Sequence, residues 1–161
     1  MRKLIFFSLA AALFSVACAQ KKTISSKITC IQPYCGGARP TPQMEADAQK
    51  PKPYASKMIV IVSDKGKVDS VKTDASGLLK KKLDQGNYKL YESWRYYKST
   101  PNGEDISHFD KACLEEEWKK EFRKISINKN KIVEESVNEI NMKCDWSQPC
   151  QLDQFKPPRR Q

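Results

Sequence analysis

The chain has 161 residues, with 29 Lys and Arg against 19 Asp and Glu, six cysteines, one histidine and a formal net charge of +10. This length suits one ordinary domain. A hydrophobic fraction of 39% and a charged fraction of 30% exclude a multi-span membrane protein, a collagen-like chain and full disorder. A single histidine excludes most His-based metal sites, and no nucleotide-binding glycine loop or hydrolase elbow is present. We therefore predict no enzyme, no catalytic residue, no metal and no cofactor.

Residues 1–19 have the pattern of a secretory signal peptide. Residues 1–3 are basic, residues 4–16 are mostly apolar, and small residues flank the cysteine of residues 17–19. The apolar run is shorter than the roughly 20 residues that a membrane-spanning helix needs. We expect cleavage before Gln20, which takes two positive and no negative charges away and leaves a mature charge of +8. The protein is then exported to the periplasm or secreted, with no transmembrane helix in the mature chain.

Cys18 allows a second interpretation of the same segment. A cysteine that follows a small residue at the end of an apolar run is a lipidation site in bacterial lipoproteins. That pattern prefers leucine three positions earlier, where this chain has Ser15. We therefore place simple cleavage first and an outer-membrane lipoprotein anchored through Cys18 second.

Five other cysteines remain for disulfide bonds in an exported protein. Five is an odd number, so one thiol must stay free or find another partner. The spacing never takes the C-x-x-C form that activates a thiol or grips zinc. We predict structural disulfides with the pairing left open; the candidates are Cys30, Cys35, Cys113, Cys144 and Cys150.

The start of the mature chain is polar and then rich in proline. Residues 20–29 contain mainly Lys, Ser and Thr and are predicted to be a flexible lead-in, turning into a strand near Ile28. Residues 33–42 contain prolines and two glycines, which indicates a loop. Thr41 can cap a short helix that ends near Gln49.

Short β-branched segments separated by turn residues follow. Residues 57–63 read as a strand buried on both faces, and residues 68–73 and 79–83 read as the next two strands. Gly86 belongs to a turn before a fourth strand over residues 88–92. Turns at intervals of about eight to twelve residues indicate an antiparallel sandwich.

The second half of the chain adds one helix to this pattern. Apolar residues at helical spacing predict an amphipathic helix over about residues 106–122, which carries Cys113. Further alternating residues predict a last strand with Ile140, Met142 and Cys144 on one face. Residues 151–161 are predicted to be a flexible tail.

Residues 71–77 (VKTDASG), followed by Leu79, Leu83, Gly86 and Tyr88, resemble the carboxypeptidase regulatory-like domains of the prealbumin (transthyretin-like) group. The resemblance covers residues 57–92. It implies a prealbumin-like β-sandwich of seven strands, from which the helix predicted over residues 106–122 departs as an insertion. Together with the turn spacing and the cysteines, it leads us to expect that residues 30–150 form a single, mainly β, antiparallel β-sandwich domain with one inserted helix and disulfide staples. It also implies an accessory or binding role without catalytic residues, because the matching positions are structural.

Aromatic and basic residues suggest a contact surface. Trp94, Arg95, Tyr96 and Tyr97 combine flat apolar rings with donors, although an ordinary aromatic edge strand would have the same composition. The loop of residues 33–42 is a second expected contact.

Charged runs and isolated nucleophiles carry less information. Residues 80–82 (KKK) read as a solvated face of an alternating strand, and export argues against a nucleic-acid partner. His108 with Cys113 lacks an orienting third group, and residues 115–117 (EEE) fan outward on one helix, so neither indicates catalysis.

These observations favour a non-catalytic, exported binding or structural module of the cell envelope whose partner is an unknown protein or glycan. The alternative is a thiol-redox or metal-handling envelope protein that uses the unpaired cysteine with Met142, Met44 or His108.

Overall fold

The computed structural model describes residues 21–36, 38–134, 140–144 and 147–156, so the predicted signal peptide and Cys18 lie outside the described residues. The described part is mainly β. Its strands are β1 (Lys22–Lys27), β2 (Thr29–Ile31), β3 (Lys52–Pro53), β4 (Met58–Ser63), β5 (Val68–Lys72), β6 (Leu78–Leu83), β7 (Gly86–Glu92), β8 (Arg123–Ile127), β9 (Ile132–Glu134) and β10 (Ile140–Asn141). Its helices are α1 (Pro42–Ala48), α2 (Ser93–Tyr96) and α3 (Lys111–Glu117), with single 3-10 turns at Ile106–His108 and Asp153–Phe155.

The strands form three sheets. The largest has the order β5-β4-β7-β8-β9, and all of its neighbouring strands are antiparallel. Strands β1 and β6 form a two-stranded antiparallel sheet, and β10, β2 and β3 form a small third sheet. β10 pairs with β2 in parallel, an exception to the predicted antiparallel pattern. A parallel pair needs a long connection, and most of the chain lies between these two strands.

The two-stranded and five-stranded sheets enclose one apolar core. Alternate residues of each strand point into it, so the two layers form a sandwich-like arrangement. Its fully buried members come from both layers: Ile24, Ile28 and Leu79 from one side and Ile59, Ile61, Leu90, Ile125 and Ile127 from the other. Because each such side chain contributes about 1.5–3 kcal/mol on burial, this shared core is what holds the layers together.

The strands and the helix expected in the first half of the chain are present. The four strands predicted within residues 57–92 are β4 to β7. Pro42 is the first residue of α1, and the Thr41 hydroxyl accepts a hydrogen bond from the amide of Met44 at 3.3 Å. In this part the local turn and capping residues were sufficient to predict the elements.

The predicted flexible lead-in over residues 20–29 is wrong, because most of it is β1. Ile24, Ser26 and Ile28 are buried, whereas Thr23, Ser25 and Lys27 are exposed. This two-residue alternation is the strand signal, and the lysine, serine and threonine content of the segment concealed it.

The threonine and glycine of the 71–77 motif join three segments of backbone. Buried Thr73 donates from its hydroxyl to the carbonyl of Tyr54 at 2.6 Å and accepts from the amide of Lys57 at 3.0 Å. Gly77 has φ +77°, and a Cβ there would lie 2.5 Å from the carbonyl oxygen of Ile28. The motif therefore has a structural role in this chain.

The helix predicted over residues 106–122 is shorter in the structure. Phe109 is extended and forms an isolated bridge with Gln151, so α3 begins only after Asp110, whose carboxylate caps the amide of Cys113. At the other end the amide of Phe122 donates to the carbonyl of Leu90 at 3.0 Å and leads into β8. Sheet pairing on both sides therefore overrides helical periodicity.

The C-terminal predictions also need correction. The predicted last strand is shorter in the structure and ends at Asn141. The amide of Met142 still donates to the carbonyl of Ile31, and the chain leaves the sheet after that hydrogen bond. The expected flexible tail over residues 151–161 is partly ordered, since the amide of Leu152 donates to the carbonyl of His108 at 2.9 Å and a 3-10 turn follows. Residues 157–161 lie outside the described residues.

Candidate functional site

The aromatic segment that follows β7 forms helix α2, not the edge strand predicted for it. The helix packs across β4 and β7. Val60 of β4 faces away from the shared core and is nonetheless fully buried. The outer surface of the five-stranded sheet is thus partly covered where α2 begins.

Arg95 is held between two carboxylates. Its Nε lies 3.1 Å from Oε2 of Glu92, and its Nη1 donates to the carboxylate of Glu117 and, at 2.7 Å, to the Glu117 backbone carbonyl. The side chains of these three residues are only 12–17% exposed. The guanidinium carbon also lies 4.3 Å from the ring centroid of Trp94. Arg95 therefore ties α2 to α3 instead of pointing to solvent.

Glu92 extends this network into the core. The Tyr54 hydroxyl donates to Oε1 of Glu92 at 2.8 Å. Burial, followed by the negative charge of Glu92, raises the pKa of Tyr54. For Glu117 burial opposes ionisation, but hydrogen bonds from Lys120 and Arg95 together hold the pKa of Glu117 below its usual value. The Glu117 carboxylate therefore stays ionised at neutral pH, and the Tyr54 phenol stays protonated.

Three tyrosine rings contact one another at the end of β7 and the end of α2. We name them the tyrosine cluster: Tyr91, Tyr96 and Tyr97. The Tyr91 and Tyr96 rings are tilted at a centroid distance of 6.1 Å, and Tyr96 and Tyr97 meet edge to face at 5.3 Å. The outermost ring, Tyr97, is 61% exposed. Edge-to-face and tilted contacts hold rings in preferred orientations, so the exposed ring has a fixed support.

A cavity of about 570 Å³, which we name the sheet groove, lies on the same outer surface and reaches Tyr91. Its lining residues are Val62, Ser63, Asp64, Gly66, Asn87, Tyr88, Lys89, Tyr91, Lys124, Ile125 and Ser126. Lys89 stands directly opposite Lys124 on the neighbouring strand, and Glu121 lies 3.5 Å from the Lys124 ammonium. Ser126 donates its hydroxyl to the side chain of Asn87 at 2.6 Å. The groove therefore offers ammonium, hydroxyl and amide groups beside aromatic rings.

The predicted contact residues fall into two pairs with different surroundings in the structure. Tyr96 and Tyr97 lie in the tyrosine cluster, but Arg95 is engaged with carboxylates and in turn lies over Trp94. Tyr91 and the sheet groove were not predicted as contacts. The alternation of β7 carried the signal, because Lys89 and Tyr91 share its outer face.

The proline-rich loop borders a second open cavity of about 550 Å³. Its lining residues are Pro33, Tyr34, Pro40, Pro42, Glu45, Ala46, Ala48 and Gln49. A disulfide between Cys35 and Cys144 anchors the loop beside it. This cavity is on the loop predicted to make contacts, but no ring cluster or charged pair converges there among the described residues.

The cysteines form two disulfides, Cys35–Cys144 and Cys113–Cys150, as the expectation of structural bridges requires. Among the cysteines that the structure describes, Cys30 has the free thiol, and it is buried in the core. Burial raises the pKa of Cys30 against the opposing charges of two lysines. A buried thiol of raised pKa has the character of an inert cysteine. The two disulfides indicate an oxidising, extracytoplasmic location.

The side chains named for metal handling are separate. His108 stacks on Phe155 with a centroid distance of 4.1 Å, Met142 packs against the core, and Met44 is exposed on α1. In the described ranges no group of three or more His, Cys, Asp or Glu side chains is arranged to hold a metal ion. Among the same residues no helix is long and apolar enough to cross a membrane.

Comparison of the chain with protein-family models gives no match. Curated proteins and solved structures give no match either. The resemblance to carboxypeptidase regulatory-like domains therefore stays a prediction.

Proposed function

We propose that this protein is an exported, non-catalytic binding module of the cell envelope that holds a glycan against the tyrosine cluster and the sheet groove. The observation that carries the proposal is the exposed ring of Tyr97, which contacts Tyr96, and Tyr96 in turn contacts Tyr91 in the wall of an open groove. A module of this kind would bind and position a glycan but would not catalyse a reaction on it.

Rings and polar groups occur here in the combination that sugars require. A pyranose ring has one flat C–H face that packs on an aromatic ring, while its hydroxyls need donors and acceptors around the rim. Tyr97 supplies the exposed ring, and the Lys89 ammonium, the Ser126 hydroxyl and the Asn87 amide supply polar groups in the adjoining groove. These groups lie on sheet strands, so they are held in place before a ligand arrives.

The Arg95 network supports the same interpretation. Because Arg95 joins Glu92 to Glu117, it fixes the helix that carries Tyr96. Few degrees of freedom then remain to be lost when a ligand stacks on the rings, which lowers the entropic cost of binding. Arg95 is accordingly a positioning residue and not a ligand contact.

The residues most readily suspected of catalysis have other roles. Cys113 is in a disulfide bond with Cys150, so it has no thiol to act as a nucleophile. Glu117 is engaged with Arg95 and Lys120, and its neighbour Glu116 is an exposed residue paired with Lys119. These assignments favour binding over group transfer.

Export completes the proposal. The signal-peptide pattern of residues 1–19 and the two disulfides agree with a periplasmic or secreted protein, and the lipoprotein form anchored at Cys18 is the alternative. The prealbumin-like domain suggested by residues 71–77 would fit an accessory role of this kind.

The test is a glycan array probed with the exported protein, followed by calorimetric titration of the best ligand. We expect Tyr97→Ala to weaken binding about tenfold, since one stacked ring contributes roughly 0.5–1.5 kcal/mol beyond its buried area. Tyr97→Phe should bind nearly as well as the original protein, because the ring is retained.

Phe155→Ala is the matched control, because Phe155 is also an exposed aromatic residue. It stacks on His108 and is far in sequence from the residues that line the groove. Unchanged affinity in Tyr97→Ala would contradict the proposal. If no glycan binds but a protein partner binds in a way that depends on Tyr97, the ligand of this surface is a protein and not a glycan.

A further inference from the structure

The two faces of the β1–β6 sheet have different chemistry, and the three consecutive lysines of β6 are divided between them. Lys81 points toward the sandwich and its ammonium lies 2.7 Å from the carboxylate of Asp69. Lys80 and Lys82 are exposed on the opposite face. The sequence interpretation of residues 80–82 as one solvated face therefore applies only to two of the three.

The outward face carries hydrogen-bond donors and no carboxylate. Its positions, which we name the lysine face, are Thr23, Ser25, Lys27, Leu78, Lys80 and Lys82, and all except the partly covered Leu78 are exposed. Ser25 stands directly opposite Lys80, and Thr23 stands directly opposite Lys82. Residues two apart on one strand are separated by about 6.6 Å, and diagonal neighbours across strands by about 7–8 Å. Three ammonium groups therefore share a small patch with two hydroxyls.

The nearest acidic side chain of the adjoining turn is already engaged. The carboxylate of Asp74 accepts hydrogen bonds from the amide and hydroxyl of Ser76, at 2.8 Å and 2.7 Å, and from the amide of Leu78 at 2.9 Å. It therefore serves the turn before β6, and although it also attracts the Lys80 ammonium, one carboxylate cannot balance the three lysines of the face. An external anion is the complementary partner for such a surface.

We propose that the lysine face binds the surface of an anionic phospholipid bilayer. The three lysines occupy about 13 Å along one face of a two-stranded sheet, so they can meet neighbouring phosphate groups of a planar surface together. β1 begins at Lys22, only four residues after Cys18. A fully extended chain of that length spans at most about 14 Å, so the lipid-anchored form would keep this sheet at the membrane. The unlipidated form would reach the same surface through charge alone.

This inference depends on export but not on glycan binding, and its magnitude can be estimated. Each lysine near an anionic membrane surface strengthens binding by about fivefold, so three lysines supply roughly a hundredfold. The attraction acts within a Debye length of about 10 Å at 0.1 M salt, and it should therefore weaken steeply as salt is added.

The experiment is co-sedimentation of the exported full chain with phospholipid vesicles, using Cys18→Ala so that no acyl chain contributes. Vesicles with about 30 mol% phosphatidylglycerol are compared with pure phosphatidylcholine vesicles. We expect binding to the anionic vesicles only, with release as NaCl is raised from about 0.05 to about 0.5 M. Lys80→Gln with Lys82→Gln should weaken binding at least tenfold, and Lys27→Gln on the neighbouring strand should weaken it about fivefold.

Lys119→Gln with Lys120→Gln is the control, because it removes the same charge from lysines already paired with Glu116 and Glu117. Retained binding in this control supports the lysine face. Equal loss in the control, equal binding to neutral vesicles, or unchanged binding after the Lys80 and Lys82 substitutions would overturn it. Binding to soluble polyphosphate without binding to vesicles would overturn the choice of a bilayer.

Discussion

Replacement of Arg95 by alanine is the most direct test of the network that positions the tyrosine cluster. The substitution removes a guanidinium that reaches Glu92 and both the carboxylate and the backbone carbonyl of Glu117. Two carboxylates then remain close together in a largely covered site. We expect lower stability and, because α2 loses its connection to α3, weaker binding at Tyr97.

The magnitude follows from the partial burial of the three side chains. A hydrogen bond to a charged group contributes about 1.5–3 kcal/mol, and breaking a fully buried ion pair costs about 3–5 kcal/mol. The Arg95 side chain is 16% exposed, so solvent screens part of the interaction and we expect a loss of about 3 kcal/mol. For a domain of this size that loss lowers the melting temperature by roughly 6–12 °C.

The assay is urea unfolding followed by circular dichroism, with the disulfides intact, for Arg95→Ala, Glu117→Gln and the double variant. We expect a coupling free energy of about 1–2 kcal/mol between the two positions. Arg95→Lys should recover only part of the stability, because an ammonium cannot reach both carboxylates as a planar guanidinium does. A loss below about 0.5 kcal/mol in Arg95→Ala, or no coupling to Glu117, would refute the reasoning.

Three further outcomes are expected. The pKa of Glu117 is lowered in the folded protein, so the ionised carboxylate stabilises the fold above its unfolded pKa of about 4.5, and this stabilisation is lost as the pH falls through the folded pKa. Glu117→Gln should therefore make the free energy of unfolding depend less on pH in that range. Gly77→Ala should cost more than about 2 kcal/mol, because its Cβ would meet the Ile28 carbonyl, whereas Gly103→Ala, with the same φ of +77° in open space, should cost about 1 kcal/mol. Cys30 should resist alkylation in the folded protein and react once in urea, as intact mass would report; rapid reaction without urea would contradict its burial.

The strands from β4 to β7 could be predicted because local rules decide them. Each is short and β-branched or alternating, and turn residues such as Gly66 and Gly77 separate them. β1 could not be predicted from composition, because Ile24 and Ile28 are the apolar residues of the segment's alternating inward side and the rest of the segment is polar. The burial of these two isoleucines against the opposite sheet is what makes the segment a strand. Tertiary packing, which one sequence does not display, therefore decides that element.

The candidate site shows a different kind of failure. The aromatic residues were singled out from their composition, but β propensity predicted a strand where the chain forms α2. The amide of Tyr97 donates to the carbonyl of Ser93 at 2.9 Å, and Arg95 is drawn toward Glu117, which lies 22 residues further along the chain. A long-range ion pair of this kind outweighs the weak intrinsic preference of tyrosine and tryptophan for strands. The pairing of cysteines is unpredictable for the same reason, since it depends on which segments the fold brings together.

The two proposed surfaces lie on opposite sides of the sandwich, and this geometry gives a last testable consequence. Ile24 and Leu79 in one sheet and Ile61 and Leu90 in the other share one core, so the outer faces of the two sheets point away from each other. Protein bound to a bilayer through the lysine face would therefore display the sheet groove toward solvent. We expect vesicle-bound protein to bind its glycan with the affinity measured in solution, in a titration with and without anionic vesicles. Competition between glycan and vesicles would show instead that one surface serves both, and it would refute the assignment of the two functions to separate layers.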